Sequence, residues 1–329
     1  AQALALAPES PDVHLALGYY QLYAYRDTQK AWEEFKIAEK GMPNNANLLQ
    51  AKAEIAELKG EWEQAADYSR RAVEMSPRDG SIAVDLAERY WFLRRYEEAF
   101  TTGNLAIELS PDDPWPYLYK VYILWAWKGV CPEERILLQA VPSDHAFAPW
   151  TWYWQNMSER KYDLAVEQLF SSPDEWIRNK CWAIPKTLLA GLAYERMGEA
   201  EKALQGYQSA ISLLEERVRQ WPDDPRYHSS LGIAYANLKQ KDEAIREGKK
   251  AVELLPISAD AFYGIPYEED LAYIYLLVGE SDAALERLDY LLSIPSWISV
   301  PYLEMNPRWD SLAENPKFIR MMKKYRSPS

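Results

Sequence analysis

The first residues in this chain whose types and spacing suggest chemistry are four pairs of neighbouring acids: Glu33-Glu34, Glu97-Glu98, Glu215-Glu216 and Glu268-Glu269. Two carboxylates are the usual equipment of general acid–base catalysis. Adjacent helical residues, however, point about 100° apart, so these pairs are expected to be solvated helix faces. His14, His145 and His228 stand in separate stretches, and no His, Cys, Asp or Glu grouping has the spacing of metal ligands. Cys131 and Cys181 have no His nearby and read as small buried hydrophobes in a reducing compartment. The sequence holds no Gly-rich phosphate loop and no nucleophile elbow. Asn156-Met157-Ser158 fits a glycosylation acceptor by spacing alone, in a stretch that reads as helical and cytosolic. No catalysis, metal or cofactor is expected.

What stands out instead is aromatic. There are 14 Trp, and nine of them fall between Trp91 and Trp182. Such side chains either fill a core or anchor a partner. The net charge of −13 disfavours a phosphate-binding face, so nucleic acid is not an expected partner. No apolar run reaches the ~20 residues of a membrane span, and the expected location is cytoplasmic.

The elements that must position these aromatics repeat every 34 residues. Ala31, Ala65 and Ala99 share one register, Ala38, Ala72 and Ala106 a second, and Pro43, Pro77 and Pro111 a third. A 34-residue step, with small residues where helices approach and Pro after the second helix, resembles the tetratricopeptide repeat. The resemblance implies an all-α, right-handed superhelical solenoid of antiparallel helix pairs. Residues 1–10 read as the remnant of a preceding repeat, 11–113 as three regular repeats and 114–185 as degenerate ones. Residues 186–295 read as three further repeats and 296–329 as a capping segment, and the whole units are counted as seven. The spacing from Gly18 to Ala31 is one residue longer than in later units, which places an insertion in the turn at Arg26-Asp27. Pro173–Pro185 reads as a connector, and the helix through Leu214–Trp221 as about two turns over-long.

Longer stretches sharpen the likeness. These are His14-Leu-Ala-Leu-Gly-Tyr-Tyr, the segment Gln220-Trp-Pro-Asp-Asp-Pro-Arg-Tyr-His with the following Glu243–Pro256, and Asn306-Pro-Arg-Trp-Asp-Ser-Leu. They resemble the C-terminal arrays of bacterial signalling proteins, in which the repeats follow a cyclase, a kinase or a transcription-regulator domain. That implies a fragment that recruits partners or regulates, with any activity lying upstream. In the repeat family the first helix of each pair lines a concave groove. The groove positions carried over here are Leu15, Tyr19 and Tyr23, then Asn47, Gln50 and Glu54, then Val84, Glu88, Trp91 and Phe92. Later units supply Trp115, Leu118, Tyr122 and Trp125, followed by Phe147, Trp150 and Trp154. The candidate binding residues are Tyr19, Tyr23, Trp91, Trp115, Tyr122, Trp125, Trp150 and Trp154. For Trp91, Trp125, Trp150 and Trp154 both core and exposed groove stay open, whereas Trp127 and Trp152 fall off the groove positions and are expected in the core. The Lys and Asn of a carboxylate clamp are missing, and Glu54 and Glu88 would repel such a ligand.

The expected function is a non-catalytic scaffold that binds a peptide or helix in an aromatic-rich groove. One alternative is a regulatory domain that docks on the upstream part of its own chain or forms a homodimer. Another is a sensor in which the Trp-rich middle stacks on a small ligand.

Overall fold

A computed structural model describes residue 7 and residues 9–326. The remnant expected over 1–10 lies largely outside the described residues. Two compact units are present, the first running through Tyr119 and the second beginning at Lys120.

The first unit is built from helix pairs. These are α1 (Pro11–Tyr25) with α2 (Thr28–Gly41), α3 (Ala46–Leu58) with α4 (Trp62–Met75), and α5 (Gly80–Phe92) with α6 (Tyr96–Leu109). The start of α7 (Pro114–Trp127) closes this unit. Side chains that favour helix starts mark the beginnings. Asn45 accepts a hydrogen bond from the Leu48 amide and Asp79 one from the Ser81 amide, satisfying donors that have no partner within the helix. The repeated small residues do what their spacing requires. Ala31, Ala38, Ala65, Ala72, Ala99 and Ala106 are each fully buried. The extra residue before Ala31 does not enlarge the turn. It lies in α1, which runs 15 residues where α3 and α5 run 13, and Arg26-Asp27 is a shorter turn than 59–61 or 93–95.

The second unit continues from α7 through α8 (Pro132–Gln139), α9 (Ala148–Ser158) and α10 (Tyr162–Leu169). The connector is a short antiparallel ribbon of β1 (Trp176–Arg178) and β2 (Ala183–Pro185), with Ile177 opposite Ile184. Regular pairs resume with α11 (Lys186–Arg196) and the 21-residue α12 (Ala200–Gln220), then α13 (Pro225–Asn237) with α14 (Lys241–Leu254), and α15 (Ile265–Leu277) with α16 (Ser281–Ser293). The described residues therefore hold eight helix pairs, one more than the seven units counted from sequence. Every first-to-second turn contains one left-handed residue: Arg26, Gly60, Arg94, Gly129, Arg160, Gly198, Lys239 or Gly279. This conformation ends the first helix and reverses the chain. At Gly198 an added Cβ would meet nothing within 4 Å, so glycine is there for its backbone alone.

In the middle pairs, side-chain hydrogen bonds tie the helices together. The fully buried Tyr153 donates its hydroxyl to the Leu189 carbonyl at 2.8 Å. Behind it Gln155 bonds Glu134 and Glu159, and Arg135 bonds Glu159 and Asn156.

The C-terminal segment is not the simple cap that the sequence suggested. Only α18 (Pro316–Tyr325) behaves as one, with Lys317 paired to Asp282 and Lys324 to Asp289 on α16. Before it, a strap containing α17 (Val300–Met305) and a 3-10 helix (Pro307–Leu312) turns back over helices far earlier in the chain.

Candidate functional site

In the first unit, the first helices of the pairs present one face that is polar and partly open. Tyr19 and Tyr23, one turn apart on α1, stack with ring centroids 5.8 Å apart and planes within 3°. The Tyr19 hydroxyl donates to the Asn47 carbonyl at 2.9 Å, and the Tyr23 hydroxyl to Glu54 Oε2 at 2.6 Å. Tyr23 nonetheless stays 60 % exposed. Burial, with Glu54 and Asp85 close by, pushes the Tyr19 hydroxyl up to about 12. Next along the face, Gln50 Nε2 donates to Asp85 Oδ2 at 2.6 Å and accepts from Ser69 Oγ at 2.7 Å.

Beneath these groups lies Arg89, 5 % exposed. It donates to Ser69 Oγ at 2.8 Å and pairs with Glu57 at 3.1 Å. Burial works against its charge, but Glu57, Asp85, Glu88 and Glu54 together outweigh burial and raise its pKa. Burial pushes the Glu57 carboxyl well up, against the pull of Arg89. Four acidic side chains thus act on one guanidinium, Glu57 being the one that burial most favours protonated, and the face is acidic. Sequence reasoning named Tyr19, Tyr23, Gln50, Glu54 and Glu88 here. It missed Glu57 on α3 and Asp85 and Arg89 on α5, the i, i+4 placement of the last two being the available signal.

The remaining candidates sit deeper. Trp91 is 8 % exposed, its ring edge-on to Phe92 and Tyr119. Trp115 is half-buried, 6.1 Å from the Tyr119 ring. In the second unit Tyr122 is half-buried against Thr151, and Trp125 is buried with its indole donating to Gln155 at 2.9 Å. Trp150 and Trp154 are buried and edge-on to each other, and Trp150 also lies 4.8 Å from Trp182. Exposure at Trp91, Trp125, Trp150 and Trp154 is therefore excluded. Trp127 and Trp152, expected in the core, are half-buried instead, each beneath a cation from Lys128 or Arg135.

What covers Trp154 is the strap. Arg308 stacks between Trp154 and Tyr273 at 4.8 and 5.0 Å and donates to Asp270 at 3.0 Å. The Trp297 indole and the Tyr302 hydroxyl both donate to Glu269, at 3.1 and 2.8 Å. Ser299 donates to the Ala126 carbonyl on α7 at 2.6 Å. In the other direction Arg160 donates to the Met305 carbonyl and Arg196 to the Pro307 carbonyl. Trp297, Ile298, Val300, Leu303, Met305, Trp309 and Leu312 are all buried, at about 1.5–3 kcal/mol for each large apolar side chain. The Glu268-Glu269 pair, expected to be solvated, is buried, with Glu268 paired to Arg287. Its partners come from elsewhere in the chain, so helical spacing gave no sign of them. Burial raises the Glu269 carboxyl, against Arg308 and the two hydrogen bonds.

Stacked antiparallel helix pairs with buried small residues at the crossings and a polar first-helix face make a repeat scaffold, a fold that generally serves protein–protein interaction. The tetratricopeptide repeat family model matches residues 51–114 and 189–259. The SGT1 homolog of rice is 36% identical over 75 residues, 23% of this chain and 20% of that protein's length. Yeast Tom70 superposes with a TM-score of 0.55 at 15% identity, over 85% of this chain and 57% of that one. Pseudomonas aeruginosa PilF gives 0.49 at 18% identity, over 67% and 96%. The chain thus carries tetratricopeptide repeats over residues 51–114 and 189–259, and its likeness to Tom70 is one of fold. Among the described residues no helix is long and apolar enough to cross a membrane.

Proposed function

We propose that the first unit binds a protein segment along the face formed by α1, α3 and α5, and that this segment carries Lys or Arg. The observation that supports this reading is the excess of carboxylate there. Glu54, Asp85 and Glu88 outnumber the one guanidinium, and the stacked Tyr19 and Tyr23 rings lie beside Glu54 as apolar ground. An acidic, aromatic face favours a cationic segment through charge complementarity and cation–π contact, and it disfavours a terminal carboxylate. The same face would serve a basic surface on an upstream part of the chain.

Fluorescence anisotropy with labelled peptides tests this. Amphipathic Lys/Arg peptides should bind the full chain, more weakly as salt rises. Glu54→Gln/Asp85→Asn should weaken them about fivefold, at ~0.5 kcal/mol for each exposed pair lost. Equal binding of an acidic peptide of the same apolar pattern, or no effect of the double substitution, would overturn the proposal.

A further inference from the structure

We propose that the second unit carries its own ligand: residues 296–312 occupy its first-helix face as a seated internal peptide, and no external segment enters there while they stay. The proposal is independent of the reading of the first unit. Three observations carry it.

The strap meets the first helices of four of the five pairs, reaching Ala126 on α7, Trp154 on α9, Arg196 on α11, and Glu269, Asp270 and Tyr273 on α15. That is the track a bound segment would follow across stacked pairs. The contacts also have the chemistry of peptide capture. Arginines at the ends of the first helices hold strap carbonyls, while carboxylates on α15 take an indole, a phenol and a guanidinium from the strap. Finally, α15 is buried on all sides from Ile265 to Tyr275, and α13 from Tyr227 to Ala236. A helix at the surface of a stack keeps a wet stripe. On α15 the strap covers it, through Trp297, Tyr302, Arg308 and Trp309, whereas α13 is covered by the β1–β2 ribbon and by α15. In the first unit Asn47, Ser81 and Asp85 remain exposed.

Hydrogen exchange on the full chain is the first test. Amides of 296–312 should exchange as slowly as those of 265–277, and a labelled synthetic peptide of sequence 296–312 should not bind the parent. In the full-length Trp297→Ala/Arg308→Ala variant, strap exchange should rise at least tenfold with the helices still protected, and the free peptide should now bind. If that variant loses its helical circular dichroism, Tyr302→Phe serves instead. It removes one hydroxyl from Glu269 and should speed exchange of 296–305 selectively, by several-fold. The proposal fails if the strap exchanges freely in the parent, if the parent binds the peptide, if a folded and loosened variant does not, or if Tyr302→Phe changes nothing.

Discussion

Replacing Arg89 with Met keeps most of the side-chain volume and deletes the charge at the base of the acidic face. Arg89 and Glu57 are 5 % and 9 % exposed and stand 3.1 Å apart. Removing one partner of such a buried pair costs about 3–5 kcal/mol, because the other charge stays without its counterion. Glu57 can escape part of that cost by keeping its proton. In the variant nothing opposes burial, and its folded pKa rises further above the unfolded value. A carboxyl whose folded pKa is raised binds more protons in the native state than in the unfolded one, so stability falls as pH rises between the two values, by up to about 1.4 kcal/mol per unit. The loss caused by Arg89→Met should therefore be larger at pH 7 than at pH 5. Adding Glu57→Gln should recover a large part of it at pH 7 and little at pH 5. Urea unfolding of the four proteins at both pH values measures this directly. A loss below about 1 kcal/mol, or one that does not change with pH, would refute the description of Arg89 as the counterion of this face.

Two further perturbations follow from the packing. At Gly206 an added Cβ would lie 2.7 Å from the Thr187 carbonyl and 3.2 Å from the Gly191 Cα, both backbone of α11. Gly206→Ala should therefore destabilise the second unit by about 1–3 kcal/mol, despite the ~1 kcal/mol that alanine adds in a helix; a raised melting temperature would contradict the close crossing. His228 donates to Glu247 at 2.6 Å and to the Pro222 carbonyl at 2.9 Å. Burial disfavours its charge, but these partners outweigh burial and raise its pKa, while Glu247 is lowered by the same contact. The pair should contribute above the ordinary Glu range and below the ordinary His value, and fade as pH rises through the folded His228 pKa. His228→Gln should then cost about 1.5 kcal/mol near pH 6 and less at pH 9, as read by denaturation at each pH.

The 34-residue step was legible because its cause is local. Ala65, Ala72, Ala99 and Ala106 pack against helices within the same or the next pair, so their spacing and their burial are one fact. Tyr19, Tyr23 and Glu54 were legible as a face for the same reason. The fates of Trp154, Glu269 and Asp270 were not, since all three are decided by Trp297, Tyr302 and Arg308, which meet them across gaps of up to about 150 residues that no helical period encodes. The β1–β2 ribbon was hidden too, because three-residue strands are too short to show alternation.

The strap also bears on how this chain can change over evolutionary time. Repeat arrays ordinarily gain and lose units freely, because each repeat touches only its neighbours. Here one segment is fastened at Ala126, Arg160, Arg196 and Asp270 at once. Deleting or duplicating a helix pair between those points would change the distance the strap must span, and its side chains would no longer meet their partners. The second unit should therefore keep its number of pairs fixed. The first, held together by contacts within and between adjacent pairs, is the place where the array can lengthen or shorten.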